Sequence, residues 1–304
     1  MRKSILLKAS VFGIILMFVG AGAVASVDIK DAKQLKSLVT ESKSDHITFN
    51  DTGYYALIIG VEEFEGMEYP ESDCIDEDAL SIYETLVSSI NWDEENIKLL
   101  LNENATKENI HSAIEWLDEK ETENDVVLFY FSGQGWKMPL LHIFKGNAYI
   151  VPYDNSDWNY DEHKISDVDL DGWLAELESD NIVVILDHCY SGKMKSLNSP
   201  GRKILAGGGQ YVFCRCDEDD TLGHGIFTYF LLQGFNGVAD INNDDWISDT
   251  EVFSYAKFPT FYFSFWQKFP FIQVSIPLIN SPQLPYMYDN HPEEIPLINY
   301  PSSR

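Results

Sequence analysis

The stretch that most constrains the fold of this chain is an apolar run ending in polar residues, Ile182-Val-Val-Ile-Leu-Asp-His-Cys-Tyr-Ser-Gly192. Its first five residues are apolar and mostly β-branched, which is typical of a buried strand in a parallel sheet. Asp187, Cys189 and Ser191 follow at the carboxyl end of this strand, where open α/β sheets bind ligands and perform chemistry. A thiol two residues after an acid indicates a nucleophile beside a charge-selective pocket. The alternative is a buried cysteine that packs as a small hydrophobic residue.

A second apolar strand ends in a polar motif about 55 residues earlier, in the run Asp125-Val-Val-Leu-Phe-Tyr-Phe-Ser-Gly-Gln-Gly135. The two motifs, at Ser132–Gly135 and Asp187–Gly192, resemble the S-G-H-G and D-x-C-x-S-G motifs of caspase- and metacaspase-like cysteine peptidases. In caspases the catalytic histidine lies about 50 residues before the cysteine. Every motif position matches except one, because Gln134 stands where the family has its histidine.

The resemblance covers most of the chain, from about Tyr54 to about Leu297. It implies a caspase-like three-layer α/β sandwich, a mainly parallel sheet with helices on both faces. Further short matches occur in the family's order: Tyr54-Tyr-Ala-Leu-Ile-Ile-Gly-Val61, Asp76-Glu-Asp-Ala-Leu80, Tyr149-Ile-Val-Pro-Tyr-Asp154, Gly225-Ile-Phe-Thr-Tyr-Phe230 and Ser281-Pro-Gln-Leu-Pro-Tyr-Met-Tyr-Asp289.

Helix patterns alternate with the strand patterns, which independently favours a mostly parallel sheet. Thr106 is the expected N-cap of one helix. The apolar residues at helical spacing form two stripes, Ala79, Ile82, Tyr83 and Leu86 in the first and Ile110, Ala113, Ile114 and Leu117 in the second.

The resemblance assigns the catalytic roles. Cys189 is the expected nucleophile, and the backbone N–H groups of Cys189 and Gly135 are the expected donors to the oxyanion. Peptide hydrolysis also requires a proton shuttle. Gln134 cannot provide it, because a carboxamide forms hydrogen bonds but does not titrate. Three histidines are candidate substitutes: His188, which as a strand neighbour of Cys189 should face the other way, His142 and His224.

The resemblance also implies a substrate pocket for arginine or lysine, lined by the acid two residues before the cysteine, Asp187. A second acid comes from the start of the first helix, where Asp76 and Asp78 compete and Asp78 fits better. Two carboxylates suit bidentate pairing with a guanidinium. The alternative for Asp78 is an acid that stabilises the helix N-terminus.

The segment Asp240-Ile-Asn-Asn-Asp-Asp-Trp-Ile-Ser-Asp-Thr-Glu251 fits the twelve-residue calcium loop, except that Asp245 replaces its glycine. The alternative is an acidic turn that caps the following helix. The expected ligands are Asp240, Asn242, Asp244, the carbonyl of Trp246, Ser248 and a bidentate Glu251. The sequence suggests no organic cofactor.

The N-terminus has a charged start, an apolar middle and Ala23-Val-Ala25, the pattern of a secretory signal peptide over residues 1–25. An uncleaved membrane anchor is the alternative, because the apolar stretch is almost long enough to span a bilayer. We expect a linker or pro-segment at 26–52, the caspase-like domain at 53–298 and a tail at 299–304. The protein is then secreted or extracytoplasmic and makes no membrane contact beyond the signal segment.

A formal net charge of −28 argues against nucleic acid as a partner and suits cationic substrates, metal ions or a salty exterior. The alternative is an acidic surface that only serves solubility. Four cysteines are too few for a disulfide scaffold, and Cys214 and Cys216 are expected to pack in the core. In the family the loop after the cysteine is often cut by the enzyme itself, and here four basic residues fall in that loop. They are Lys193, Lys195, Arg202 and Lys203. A merely solvated loop is the alternative.

Two functions follow. The first is a secreted cysteine endopeptidase that cuts after basic residues, with activity impaired by Gln134. The second is a pseudopeptidase that binds basic peptides or a protein partner without cutting. The Pro- and aromatic-rich stretch from Phe258 to Tyr300 is expected to wrap the domain surface in extended form.

Overall fold

A computed structural model describes residues 52–66, 74–137, 148–157, 162–209, 218–219, 222–268 and 282–300. The predicted signal segment, His142, Cys214 and Cys216 lie outside these residues. Within the described ranges, no helix combines the length and the apolar character needed to cross a bilayer.

Thirteen strands are described in these ranges, and six of them form the central sheet in the order β12-β8-β7-β3-β1-β2. All neighbours in this sheet are parallel except β12, which pairs antiparallel with β8 at one edge. The strands are β1 (Tyr54–Gly60), β2 (Ile97–Leu101), β3 (Val126–Gly133), β4 (Gly135–Lys137), β5 (Ala148–Ile150), β6 (Ile165–Ser166), β7 (Asn181–His188), β8 (Arg202–Ala206), β9 (Glu218–Asp219), β10 (His224–Gly225), β11 (Trp246–Ser248), β12 (Tyr286–Asn290) and β13 (Pro296–Asn299).

Helices cover both faces of the sheet, as the resemblance implies. The helices are α1 (Ile75–Ser88), α2 (Lys107–Asp118), α3 (Asp167–Leu174), α4 (Ile226–Gln233) and α5 (Asp249–Lys268). Successive residues of β3 alternate between two cores: Tyr130 packs with α1, α4 and α5, and Phe131 packs with α2 and α3. Because both faces are buried, the central strands are continuously apolar rather than alternating.

The predicted helix stripes are confirmed. Ile82 and Leu86 of α1 are fully buried, and so are Ile110 and Leu117 of α2. Thr106 caps α2 as expected, with its side-chain oxygen accepting a hydrogen bond from the backbone N–H of Asn109.

The interpretation of residues 193–203 as one exposed basic loop is wrong for its second half. Arg202 and Lys203 begin β8 and are 3% and 2% exposed. Arg202 pairs with Asp171 at 2.6 Å, and Lys203 Nζ lies 3.3 Å from the buried carboxylate of Asp249. These carboxylates compensate the two cations, so β8 can sit inside the sheet. Within the stretch, Lys195 is the exposed cation.

The expectation of an extended chain from residue 258 is wrong as far as residue 268, because α5 continues through Pro259 to Lys268. Thr260 and Ser264 in this part are fully buried. Packing of this helix face against the domain outweighs the hydrogen bond that proline removes.

Candidate active site

The two sequence motifs meet at the carboxyl ends of neighbouring strands. In the parallel register of β3 and β7, Ser132 lies opposite Asp187 and Gly133 lies opposite His188. Gln134 and Cys189 therefore leave the sheet side by side. A β-carbon at Gly135 would overlap the carbonyl oxygen of Cys189, so only glycine allows this close approach of the two backbones.

A tight turn after β7 presents Cys189, which is half-buried. Tyr190 has a left-handed conformation, with φ of 67°, and reverses the chain directly after the cysteine. Ser191 Oγ accepts a hydrogen bond of 2.8 Å from the backbone N–H of Gly208, and a side chain at Gly192 would overlap the Gly208 carbonyl. The serine and glycine of the motif thus hold the turn in place beneath the thiol.

Gln134 is half-buried at the position of the family's histidine, and its backbone carbonyl accepts a hydrogen bond from Val151. The main chain is therefore fixed as it leaves β3 for β4. The side-chain carboxamide of Gln134 can orient a neighbouring polar group by a hydrogen bond. It cannot carry a proton between the thiol and the leaving amine.

His188 is fully buried, with its ring edge-on to Phe131. Its Nδ1 lies 2.8 Å from the carbonyl oxygen of Cys189. Because a carbonyl oxygen only accepts, this hydrogen bond requires the tautomer with the proton on Nδ1. Among the described residues, its Nε2 has no hydrogen-bond partner. Burial lowers the pKa of His188 to about 4, which makes it a weak base at neutral pH. Its structural effect is to fix the cysteine backbone.

The two predicted pocket acids converge from separate elements. Asp78 on α1 is 1% exposed and Asp187 at the end of β7 is 4% exposed. A β-carbon at Gly225 would lie 2.8 Å from Asp78 Oδ2 and 2.9 Å from Asp187 Oδ2, so the glycine stands between the two carboxylates. The competing acid, Asp76, is half-buried and accepts a hydrogen bond from Glu77 N at the helix start.

Each pocket acid is held by donors of the protein itself. Asp187 Oδ2 accepts from the backbone N–H of Thr228 at 3.0 Å and from its hydroxyl at 2.8 Å. Asp187 Oδ1 lies 3.4 Å from the amide nitrogen of Gln283. Asp78 accepts from Ser132 Oγ at 3.1 Å and from Gly225 N at 3.1 Å.

His224 completes the set, with its Nδ1 at 3.0 Å from Asp78 Oδ1. His224 therefore forms a hydrogen bond with one of the two predicted pocket acids, a role that the sequence did not indicate. The contributions of Thr228 and Gln283 were also missed. The match at Gly225–Phe230 was a signal that this segment matters, but it did not show which acid the threonine binds.

Burial is the main cause that raises the pKa of Asp78 to about 7, and the nearby charge of Asp187 adds to the rise. The hydrogen bonds from His224 and Gly225 act in the opposite direction. Tyr130, beneath the pair, donates or accepts a 2.7 Å hydrogen bond with Thr228 Oγ1, and burial raises its pKa well above the usual value. The acid pair therefore contains a carboxyl with a pKa near neutrality, and the phenol that hydrogen-bonds to Thr228 stays protonated.

The predicted calcium loop forms an acidic turn before α5. Asp245 has φ of 68°, so the aspartate adopts the left-handed conformation that glycine normally provides in such loops. The backbone N–H of Asp244 donates to Asp240 Oδ1 and Asn242 Oδ1, and that of Trp246 donates to Asp244 Oδ1.

Glu251 caps α5. Its Oε2 accepts from the backbone N–H of Ser248 at 3.0 Å, while its own N–H donates to Ser248 Oγ at 3.1 Å, a reciprocal capping box. Across the described part of the chain, no three acidic, histidine or cysteine side chains gather as a metal centre. The acidic turn therefore forms the cap of α5, and calcium binding to this turn stays a prediction.

A cysteine that follows a buried parallel strand, beside a glycine-rich turn of the neighbouring strand and two buried acids, defines the architecture of a caspase-type cysteine-peptidase domain. The sequence matches the family model of the caspase domain over residues 54–250, well over half of the chain. The protein belongs to this family.

One similar protein agrees with this assignment, and one solved structure agrees with the fold. Metacaspase-3 of Arabidopsis thaliana is 25% identical in an alignment of 219 positions that covers 59% of this chain and 58% of that protein. The chain thus matches little more than half of the length of this relative. A protein of known structure from Geobacter sulfurreducens has a TM-score of 0.52 at 13% identity, over 79% of this chain and 94% of that one, which supports the fold alone.

Proposed function

We propose that this protein is a secreted cysteine endopeptidase that binds a peptide by an arginine or lysine side chain and cleaves the following bond slowly with Cys189. The observation that carries the proposal is the convergence of two buried carboxylates, Asp78 and Asp187, at the strand end that presents the cysteine. The membership of the caspase domain family supports peptide hydrolysis as the reaction class.

The pocket geometry supports the preference for a basic side chain. Asp187 is two residues before Cys189, so a ligand that reaches this carboxylate brings its own backbone close to the thiol. Two buried carboxylates that face one another repel when both are charged. A guanidinium or ammonium group between them compensates both charges. An acidic or apolar side chain would leave them uncompensated.

The chemical step requires a thiolate, donors for the oxyanion and a proton for the leaving amine. The adjacent backbones of Cys189 and Gly135 support the donation of hydrogen bonds to the oxyanion. Gln134 cannot supply the proton for the leaving amine, and this proton transfer is typically worth about 10²–10⁴-fold in rate. His188 does not replace it, because its pKa of about 4 keeps it a poor acceptor for the proton of a thiol. Slow turnover follows.

The second candidate is a pseudopeptidase that binds basic peptides without cleaving them. The observation that favours it is the engagement of the two described candidate histidines, His188 with a backbone carbonyl and His224 with Asp78. Neither hydrogen bond places a base on the nucleophile.

The fluorogenic test uses the mature protein on peptides with arginine, lysine or glutamate before the cleaved bond, with and without calcium. We expect slow hydrolysis of the basic substrates, no hydrolysis of the glutamate substrate, and complete loss of activity in Cys189→Ala.

Binding of the basic peptides without any hydrolysis dependent on Cys189 would support the pseudopeptidase. Absence of both binding and hydrolysis would reject both functions.

A further inference from the structure

His224 covers the side of the acidic pocket that the other hydrogen-bond donors do not cover. Its imidazole Nδ1 is 3.0 Å from Asp78 Oδ1, and its side chain is 21% exposed while that of Asp78 is 1% exposed. The imidazole therefore lies between the buried carboxylate and the solvent. A basic side chain that approached Asp78 from outside would meet this ring first.

The ring of His224 can leave Asp78 by rotation of its own side chain, which is partly exposed, while the backbone of β10 stays paired with β9. The residue lies between two glycines, and Gly223 has φ of 68° with no atom within 4 Å of where a β-carbon would be. Beside the ring, between α1 and α4, is an open cleft of about 520 Å³. Ser81, Glu84, Tyr229 and Gln233 line this cleft together with His224. The cleft has room for an imidazole that has left Asp78.

The charged and titratable groups that face this contact come from several elements. Asp187 faces Asp78 from β7, and Tyr130 lies beneath both from β3. Glu84 of α1 and Tyr229 of α4 border the cleft beside His224, and the Tyr229 ring is 6.5 Å from the imidazole. Among these described groups His224 is the one basic side chain, and three carboxylates lie around it: Asp78, Asp187 and Glu84.

We propose that His224 is a displaceable internal occupant of the pocket, which a guanidinium or ammonium group must remove from Asp78 in order to bind. This inference rests on the proposed basic-peptide pocket and adds its gate. The imidazole makes with Asp78 the same kind of charge-assisted hydrogen bond that the ligand would make, so the two compete for one carboxylate. The gate lowers the affinity for every basic ligand.

The direction of the pH effect follows from the proton held by Asp78. Burial raises the pKa of Asp78 to about 7, so below that pH the carboxyl holds a proton that an incoming cation must expel. The affinity for a basic ligand therefore rises from pH 6 to pH 8. The rise is at most about tenfold for each pH unit below the pKa, because one proton is released for each ligand bound.

The test measures binding of agmatine, a small guanidinium amine, by isothermal titration calorimetry at pH 6 and pH 8. His224→Ala removes the competitor, and we expect it to bind agmatine about tenfold more tightly than the parent at pH 8. His224→Lys places a permanent cation in the same position, and we expect it to bind agmatine at least about tenfold more weakly at both pH values. Benzamide, which has no charge, serves as the ligand control beside benzamidine.

The variants separate this inference from the proposed pocket. If Asp187→Asn abolishes agmatine binding but His224→Ala leaves it unchanged or weaker, the pocket stands and the gate is wrong. If neither the parent nor His224→Ala binds agmatine or benzamidine, the pocket itself is wrong, and the gate with it. Should His224→Ala not fold, His224→Ser, whose side chain is too short to reach Asp78, carries the test: it should bind agmatine more tightly than the parent at pH 8.

Discussion

The two halves of the site differ in how completely they are built. In the pocket half, Asp78 and Asp187 are buried, face one another across Gly225 and are held by donors from β3, β10 and α4. In the catalytic half, Cys189 is presented as the family requires, but Gln134 stands in place of an ionisable group. In the proposed function, recognition and proton transfer therefore depend on separate elements, so one can be impaired while the other is retained.

The largest expected effect comes from restoring the proton shuttle. Gln134→His should raise kcat on arginine substrates by about 10²–10⁴-fold, because a titrating side chain returns beside Cys189. Agmatine affinity should not change, since residue 134 lies outside the acid pair. Gln134→Asn is the matched control and should leave kcat at the parent value. An unchanged rate in Gln134→His would show that the catalytic half has lost more than its histidine.

Removing a pocket charge is expected to have the next largest effect. Asp187→Asn should weaken agmatine binding by about 100-fold, which corresponds to about 2.7 kcal/mol, because a fully desolvated charge pair loses one partner. The cleavage that remains should show a higher KM for the peptide. Asp76→Asn is the control, as Asp76 is a half-buried acid on the same helix, and it should bind agmatine like the parent. A loss of similar size in Asp76→Asn would point to the general negative field instead of the pocket.

Filling the space between the carboxylates gives a smaller effect. Gly225→Ala places a methyl group 2.8–2.9 Å from Asp78 Oδ2 and Asp187 Oδ2, and it should weaken agmatine binding about tenfold and cost about 1–3 kcal/mol of stability. Gly172→Ala, whose added β-carbon meets no atom within 4 Å, is the control. Calorimetric titration and urea unfolding of the three proteins measure both quantities. Equal binding by all three would mean that the ligand does not enter between the acids.

The acid pair also makes a prediction for stability. The folded state keeps the Asp78 proton up to about pH 7, whereas an unfolded chain releases it near pH 3.8. Between these values the folded protein binds more protons, so this carboxyl lowers the free energy of unfolding as the pH rises from about 4 to about 7. Asp78→Asn should show a shallower decline than the parent in urea unfolding across this window. Parallel curves would contradict the raised pKa.

The smallest effect concerns the acidic turn before α5, where calcium is expected to bind. Millimolar calcium should raise the Tm of the parent by about 2–4 °C, the shift that about 1 kcal/mol gives in a domain of this size. Asp240→Asn should reduce this shift, and magnesium should not reproduce it. No calcium-dependent shift in the parent would leave the turn as the helix cap that Ser248 and Glu251 form.

Local patterns of the sequence were sufficient to predict the sheet and the position of the cysteine. The apolar runs of β3 and β7 are continuous because both faces are buried, and each run ends at its polar motif. The capping role of Thr106 and the apolar stripes of α1 and α2 follow from the same short-range rules.

The remaining features depend on partners that are distant in the sequence. The contacts of Asp78 with His224 and of Asp187 with Gln283 join positions 146 and 96 residues apart, and no spacing rule links them. Arg202 and Lys203 were read as solvated because they are charged, but their paired carboxylates allow them to be buried in β8. The Pro- and aromatic-rich composition predicts extended chain from Phe258, but tertiary packing keeps α5 helical through Pro259.

The most direct test of the central claim asks whether the acidic pocket delivers a basic side chain to Cys189. The protein is treated with a peptidyl-arginine chloromethyl ketone and with its glutamate counterpart, and the modified residue and its rate of formation are measured by mass spectrometry. We expect the arginine reagent to alkylate Cys189 at least about tenfold faster than the glutamate reagent, and agmatine to protect the thiol. Equal rates for the two reagents, or modification of another residue, would contradict this claim.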